Sequence, residues 1–211
     1  MWQSEHWHRL LVICLLLVGG QQLAGAGLIK AKAWLAPILI EQAWTQSLAA
    51  QGQIVRPWPW ADTWPVARLS VPEAGVDLLV LAGDSGHALA FGPGHANASA
   101  RPGDTGTVVI GGHRDTHFAF LRELAPATLL HLQTIEGITR SYRVNAANVI
   151  DADENSLPSL DPEDRLLLVT CYPFDALYAG GPLRYVVSAS PVSESKTFSE
   201  ITGSPTEVYQ L

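Results

Sequence analysis

The sequence predicts an all-β domain, a barrel or a sandwich. Three observations carry this. From Ala67 onward, short runs rich in Val, Leu, Ile and Thr recur along the chain. Gly and Pro, 18 and 14 of the 211 residues, punctuate those runs too often for long helices. Two runs, Thr107–Ile110 and Leu166–Thr170, are continuous, the pattern of strands buried on both faces.

The elements follow in order. Residues 1–30 hold an apolar run, Leu10–Val18, then Gly19-Gly20-Gln21-Gln22, then the small and apolar Leu23–Ile29. Together they are about the twenty residues a membrane helix needs. Two readings are open. One is an uncleaved signal anchor, a single-pass helix in the inner membrane. The other is a cleaved signal peptide, with Arg9 before the apolar run and Ala24-Gly25-Ala26 as the cleavage site. Both place the remaining chain in the periplasm or its extracytoplasmic equivalent. Arg9, Lys30, Lys32 and Glu5 do not set an orientation.

Residues 31–65 read as a linker. Trp34, Leu35, Ile38, Leu39, Trp44 and Leu48 recur at helical spacing, and Pro37 is expected in a first turn. Trp34 and Trp44 suit a membrane interface as well as packing on the domain. Trp58-Pro59-Trp60 and Trp64-Pro65 exclude helix and central strand, so an extended segment is expected with its indoles packed on the domain. A sugar- or peptide-binding platform is the alternative.

Residues 66–190 form the β-rich part. Strands are expected at Arg68–Val71, Val76–Leu81, Ala88–Phe91, Thr107–Ile110, Leu129–Leu132, Ser141–Val144, Asn148–Ile150, Leu166–Thr170 and Tyr185–Ala189, with a short helix or turn at Phe118–Leu124. Residues 191–211 are Ser-, Thr- and Glu-rich and read as a polar tail.

Composition limits the function classes. The formal net charge of −7 and pI near 5.4 exclude a nucleic-acid binder of the usual basic kind. Cys14 falls in the apolar run and Cys171 in the β-rich part, so no disulfide framework is expected. Asp151, Asp153 and Glu154 read as a solvated acidic turn, and no metal or cofactor is expected. His113 and His117 would make a metal pair only on a helix, which Gly111-Gly112 disfavours.

Cys171 closes the Leu166–Thr170 run, where a thiol is held rigidly and still meets solvent. His113 follows Thr107–Ile110 and Gly111-Gly112. Arg184 precedes Tyr185-Val186-Val187. Thiol, imidazole and guanidinium each stand where a loop meets a strand. They are the parts of an acyl-transfer site: nucleophile, proton carrier and oxyanion partner. Thr170 is expected beside the substrate, and the Tyr172 N–H beside the oxyanion. Among the other histidines, His117 is the main rival to His113. His95 is expected at the surface, His131 in a strand or core, and His87 in a turn. Asp115 is expected to orient Arg114 or His113, or to cap a turn.

At these residues the chain resembles the sortases, cysteine transpeptidases with a Thr-Leu-X-Thr-Cys signature. Here that stretch is Leu167-Leu168-Val169-Thr170-Cys171, with Leu167 replacing the first Thr. Gly92-Pro93-Gly94-His95, Pro102-Gly103-Asp104-Thr105-Gly106 and Gly111-Gly112-His113-Arg114-Asp115 also resemble sortases, nearest classes C, D and E. The Trp58–Pro65 stretch is similar to a Gram-negative, marine proteobacterial branch. The resemblance runs from Val66 to Ala189. It implies an eight-stranded β-barrel with short helices behind an N-terminal membrane helix, and catalysis by Cys171, His113 and Arg184. It also implies a partner, an exported protein with a C-terminal motif similar to Leu-Pro-X-Thr-Gly, passed to an amine acceptor or water. An L,D-transpeptidase lacks support because its Ser-X-Gly-Cys context is absent. A papain-like order is reversed here. A non-catalytic adaptor on the same barrel stays open through Leu167.

Overall fold

The computed structural model describes residues 2–154, 162–176, 178 and 180–192. Most of the expected polar tail lies outside the described residues.

Eight strands close into one barrel in the order β1-β2-β3-β4-β7-β8-β6-β5. They are β1 (Pro65–Val71), β2 (Val76–Ala82), β3 (Gly94–His95), β4 (Thr107–Gly111), β5 (Leu129–Thr134), β6 (Thr139–Asp151), β7 (Arg165–Cys171) and β8 (Leu183–Pro191). β1 pairs with β5 and completes the circle. Two neighbouring pairs are parallel, β2–β3 and β4–β7.

The side-chain period of two explains which residues fill the barrel. β1 alternates, with Ala67, Leu69 and Val71 fully buried and Arg68 and Ser70 half-buried. β7 does not alternate, because both its faces are covered. Leu166 and Leu168 join Ile110, Phe118, Leu130 and Val187 in the interior, while Leu167 and Val169 join Val109 and Val186 in a second, outer cluster. That double burial is why its sequence reads as an unbroken apolar run.

Three expectations need correction. Ala88–Phe91 is not a strand. Gly86–Leu89 forms a short helix, α2, with the Leu89 N–H bonded to the Ser85 carbonyl at 3.0 Å. Ala88, Leu89 and Ala90 are helix formers with no β-branched neighbour. The strands expected at Ser141–Val144 and Asn148–Ile150 are one strand, β6, with a register shift between Val144 and Ala146. The gap between the two expected strands, Asn145-Ala146-Ala147, stays in the strand with a β-bulge. The two-residue β3 was not expected, since Gly94-His95 carries no pattern of its own.

The N-terminal region is one helix, α1 (Trp2–Ala49), with no break at residue 30. Pro37 lies deep inside it and not in a first turn. Among the described residues no helix is long and apolar enough to cross a membrane. The span expected over Leu10–Ile29 is therefore not supported. Gln21 and Gln22 interrupt the run with side-chain amides that hydrocarbon cannot satisfy.

The last three turns of α1 dock on the barrel. Ile40, Ala43, Trp44 and Ser47 are buried, whereas Trp34 is 73% exposed. Trp44 thus packs on the domain and Trp34 does not. Arg68 ties the helix down, bonding Glu41 at 2.8 Å and both carboxylate oxygens of Asp77 at 2.7 and 2.8 Å. The Trp-Pro segment lies over the same side. Trp58 meets Phe91 edge-on at 5.7 Å, and the Arg56 guanidinium sits 4.9 Å over the Trp64 ring. Trp60 remains exposed.

Candidate active site

The site is built by strand register. β4 and β7 run parallel, with Gly111 opposite Val169, so their C-terminal ends leave the barrel together. β8 runs antiparallel to β7, with Arg184 directly opposite Cys171. Directly paired α-carbons lie about 5 Å apart. Cys171 and Arg184 share the outer face with Val169 and Val186, because Leu168, Thr170, Tyr185 and Val187 take the inner one. Cys171 is half-buried and carries a free thiol.

His113 starts the loop after β4, and that loop is fastened at both ends. Both peptide groups of Gly112 are bonded to β7. Its N–H donates to the Val169 carbonyl at 3.0 Å, and its carbonyl accepts the Thr170 hydroxyl at 2.7 Å. Further on, the Phe118 N–H donates to the His113 carbonyl at 2.9 Å, and the Phe118 ring plugs the interior. Gly112 lies against that ring. A Cβ here would fall 2.7 Å from the ring carbon Cγ, so only glycine fits. His113 itself is exposed at the end of this fixed turn.

Register therefore brings Cys171, His113 and Arg184 to one end of the barrel. Two other sequence expectations change. Thr170 is 2% exposed and its hydroxyl is engaged by Gly112, so it pins the His113 loop to the Cys171 strand and has no hydroxyl proton left for a substrate. The Tyr172 N–H, expected at the oxyanion, donates to the Leu183 carbonyl at 3.0 Å, because the β7–β8 pairing continues one residue past the thiol. The Tyr172 ring stacks on Tyr185 at 6.2 Å, and Phe174 meets Tyr185 edge-on at 5.2 Å. Arg122 caps this aromatic group, 5.2 Å over Phe174.

Arg184 donates through Nη1 to the carbonyls of Gly181 (2.6 Å) and Leu183 (2.9 Å). Among the described residues its Nη2 and Nε have no partner. Arg114 donates to the carbonyls of Ala176 (2.8 Å) and Tyr178 (3.1 Å), in the connection from β7 to β8. Sequence reasoning missed this tie and the Thr170–Gly112 pin. The only signal for either was the Gly-Gly before His113.

The other histidines have separate surroundings. His95, expected at the surface, is buried, with Nε2 2.8 Å from the Ala100 carbonyl and 3.1 Å from Ser99 Oγ. Burial pushes its pKa down, against that carbonyl contact. His117 is half-buried in a cleft of about 400 Å³ beside Val76, Leu78 and Phe120, and its Nδ1 is buried without a partner. Burial, then the nearby His113, pushes its pKa down. His131 contacts Ser141, and His87 contacts Asp62. Leu167 is 3% exposed in the outer apolar cluster, so its replacement of a family threonine does not touch the thiol. The Asp153 N–H bonds Asp151 Oδ1 at 2.9 Å, as in an acidic turn. Among the described residues no group of three or more His, Cys, Asp or Glu could hold a metal ion.

Comparison with known proteins agrees with this architecture. The sortase-domain family profile matches residues 69–192. Sortase D of Bacillus subtilis (strain 168) is 33% identical over 127 residues, 59% of this chain and 63% of that protein. The matched region thus spans less than two thirds of that relative. Among solved structures, sortase A from Corynebacterium diphtheriae superposes with a TM-score of 0.57 at 22% identity, covering 85% of this chain and 97% of that one. A Clostridium perfringens sortase D5 transpeptidase gives 0.58 at 19% identity, covering 75% and 98%. The structural likenesses speak for the fold, and the profile match over more than half of the sequence speaks for descent. The chain belongs to the sortase family.

Proposed function

We propose that this protein is a cysteine transpeptidase that cleaves a sorting motif similar to Leu-Pro-X-Thr-Gly in an exported protein. The observation that carries the reading is the register that sets Arg184 opposite Cys171 and starts the His113 loop level with Val169. Cys171 Sγ attacks the carbonyl of the motif threonine. The thiol proton passes to His113 as the C–S bond forms, the C–N bond to the following residue breaks, and His113 gives that proton to the departing amine. The product is a thioester on Cys171. An acceptor amine, or water, then attacks that thioester and loses a proton to His113; the C–S bond breaks, and His113 returns the proton to the Cys171 sulfur, restoring the thiol. The unpartnered Nη2 and Nε of Arg184 supply donors for the oxyanion formed in both steps. Thr170 contributes by position, through Gly112, and Tyr172 by its ring beside Tyr185.

The enzyme is proposed to act at the cell envelope, outside the cytoplasm. Leu11, Val12, Ile13, Leu15, Leu16, Leu17, Val18 and Leu23 on α1 are each more than half exposed, which supports an association with lipid. Fractionation of cells making the full chain tests this. Recovery in the soluble cytoplasmic fraction would contradict it.

The activity is tested with a Leu-Pro-X-Thr-Gly peptide library and an added amine, following the ligated product. Wild type is expected to form it, and Cys171→Ala and His113→Ala are not. Equal product from Cys171→Ala would refute the mechanism.

A further inference from the structure

We propose that Arg114 is a positioning residue for the acyl-transfer step, holding the connection between Cys171 and Arg184 against the loop that carries His113; this rests on the sortase reading above. Arg114 follows His113 directly in the chain and is half-buried. One nitrogen, Nη2, donates to two main-chain carbonyls, Ala176 at 2.8 Å and Tyr178 at 3.1 Å. Those carbonyls are 62 and 64 residues away in sequence. They belong to the segment that leaves β7 after Cys171 and re-enters the barrel at Leu183.

The arrangement matches the chemistry of guanidinium. Nη2 carries two N–H groups in a fixed plane, one for each carbonyl, and its charge strengthens both bonds. Gly112 is bonded to β7 just before the thiol, and Arg184 bonds Gly181 of the same connection. Arg114 adds the missing tie, from the residue beside His113 to the segment between nucleophile and oxyanion partner. Asp115, expected to orient Arg114, has no hydrogen bond to it among the described residues; the two carbonyls do that work.

Three catalytic groups on three elements must stay within a fraction of an ångström of the productive geometry. A misplacement of about 1 Å costs roughly 100-fold. Arg114→Ala is expected to lower kcat by about 10- to 100-fold while KM stays within about twofold. Arg114→Lys, which keeps the charge without the fork, is expected to recover part of the loss. Alkylation of Cys171 by a small thiol reagent is expected to proceed at the wild-type rate in both variants, because the ladder that holds Cys171 is untouched. Chymotrypsin is expected to cut after Tyr178 faster in Arg114→Ala, since that carbonyl is no longer held.

A kcat within about twofold of wild type in Arg114→Ala overturns the proposal. So does a fall in alkylation rate and melting temperature that matches the fall in kcat, which would make Arg114 a general stability residue. If wild type itself gives no turnover, the sortase reading fails and this role with it, while an unchanged cleavage rate at Tyr178 would show that the tie is absent as well.

Discussion

Replacing Thr170 with valine isolates the pin between β7 and the His113 loop. Valine has nearly the volume of threonine and the same β-branched preference for a strand, so packing and backbone are preserved. What is lost is the 2.7 Å bond from the hydroxyl to the Gly112 carbonyl, at a position 2% exposed to solvent. The donor lies in the interior, while Gly112, which carries the acceptor, is half-buried, so losing the bond costs about 0.5–1.5 kcal/mol. The unfolding entropy of a domain this size converts that into a fall in melting temperature of about 2–6 °C. The catalytic cost is separate. The Gly112 carbonyl would turn away from β7, and His113 follows it in the chain, so kcat is expected to fall about 10-fold or more. Thermal unfolding followed by circular dichroism gives the first quantity and steady-state turnover the second. A melting temperature within about 1 °C of wild type, with unchanged kcat, would refute the pin.

Three further outcomes follow from the structure. Gly112→Ala drives a methyl group into the Phe118 ring and is expected to cost about 1–3 kcal/mol, with a larger loss of turnover than of stability; chemical denaturation and kinetics measure both. Trp44→Ala removes a large, fully buried side chain of α1 and is expected to cost about 3–5 kcal/mol, read as an earlier denaturant midpoint. Stability should also fall as pH drops below about 6.5, the ordinary histidine value. His95 and His117 are both held neutral by burial, so the unfolded chain binds more protons than the fold in that range, and protonation favours unfolding. His117→Gln should flatten the slope of melting temperature against pH below about 6.5.

The barrel was legible because its central strands are marked by composition. Thr107–Ile110 and Leu166–Thr170 are buried on both faces and read as unbroken apolar runs. The placement of the candidate site was legible because Cys171, His113 and Arg184 each stand where such a run ends or begins. What escaped were features that depend on pairing across the barrel. β3 is two residues whose strand character comes from their pairing with Leu81-Ala82 on one side and Ile110-Gly111 on the other. β6 reads as two strands because Asn145-Ala146-Ala147 has no strand pattern of its own, and β8 is what keeps it extended. His95 looked superficial after Gly-Pro-Gly, yet the carbonyl of Ala100 and the hydroxyl of Ser99 satisfy it in a buried place. The Thr170 hydroxyl and the Tyr172 N–H are both engaged within the strand ends, which no local pattern reveals.

The central claim is that Cys171 forms a thioester with the substrate. Intact-protein mass spectrometry of the full chain, quenched in acid after brief mixing with Leu-Pro-X-Thr-Gly peptides, tests it most directly. The account predicts a mass increase equal to the peptide fragment ending at threonine, less one water. That increase should map to Cys171, be absent in Cys171→Ala, and disappear on adding an amine. A ligated product formed with no adduct at Cys171, or an adduct that persists in Cys171→Ala, would contradict it.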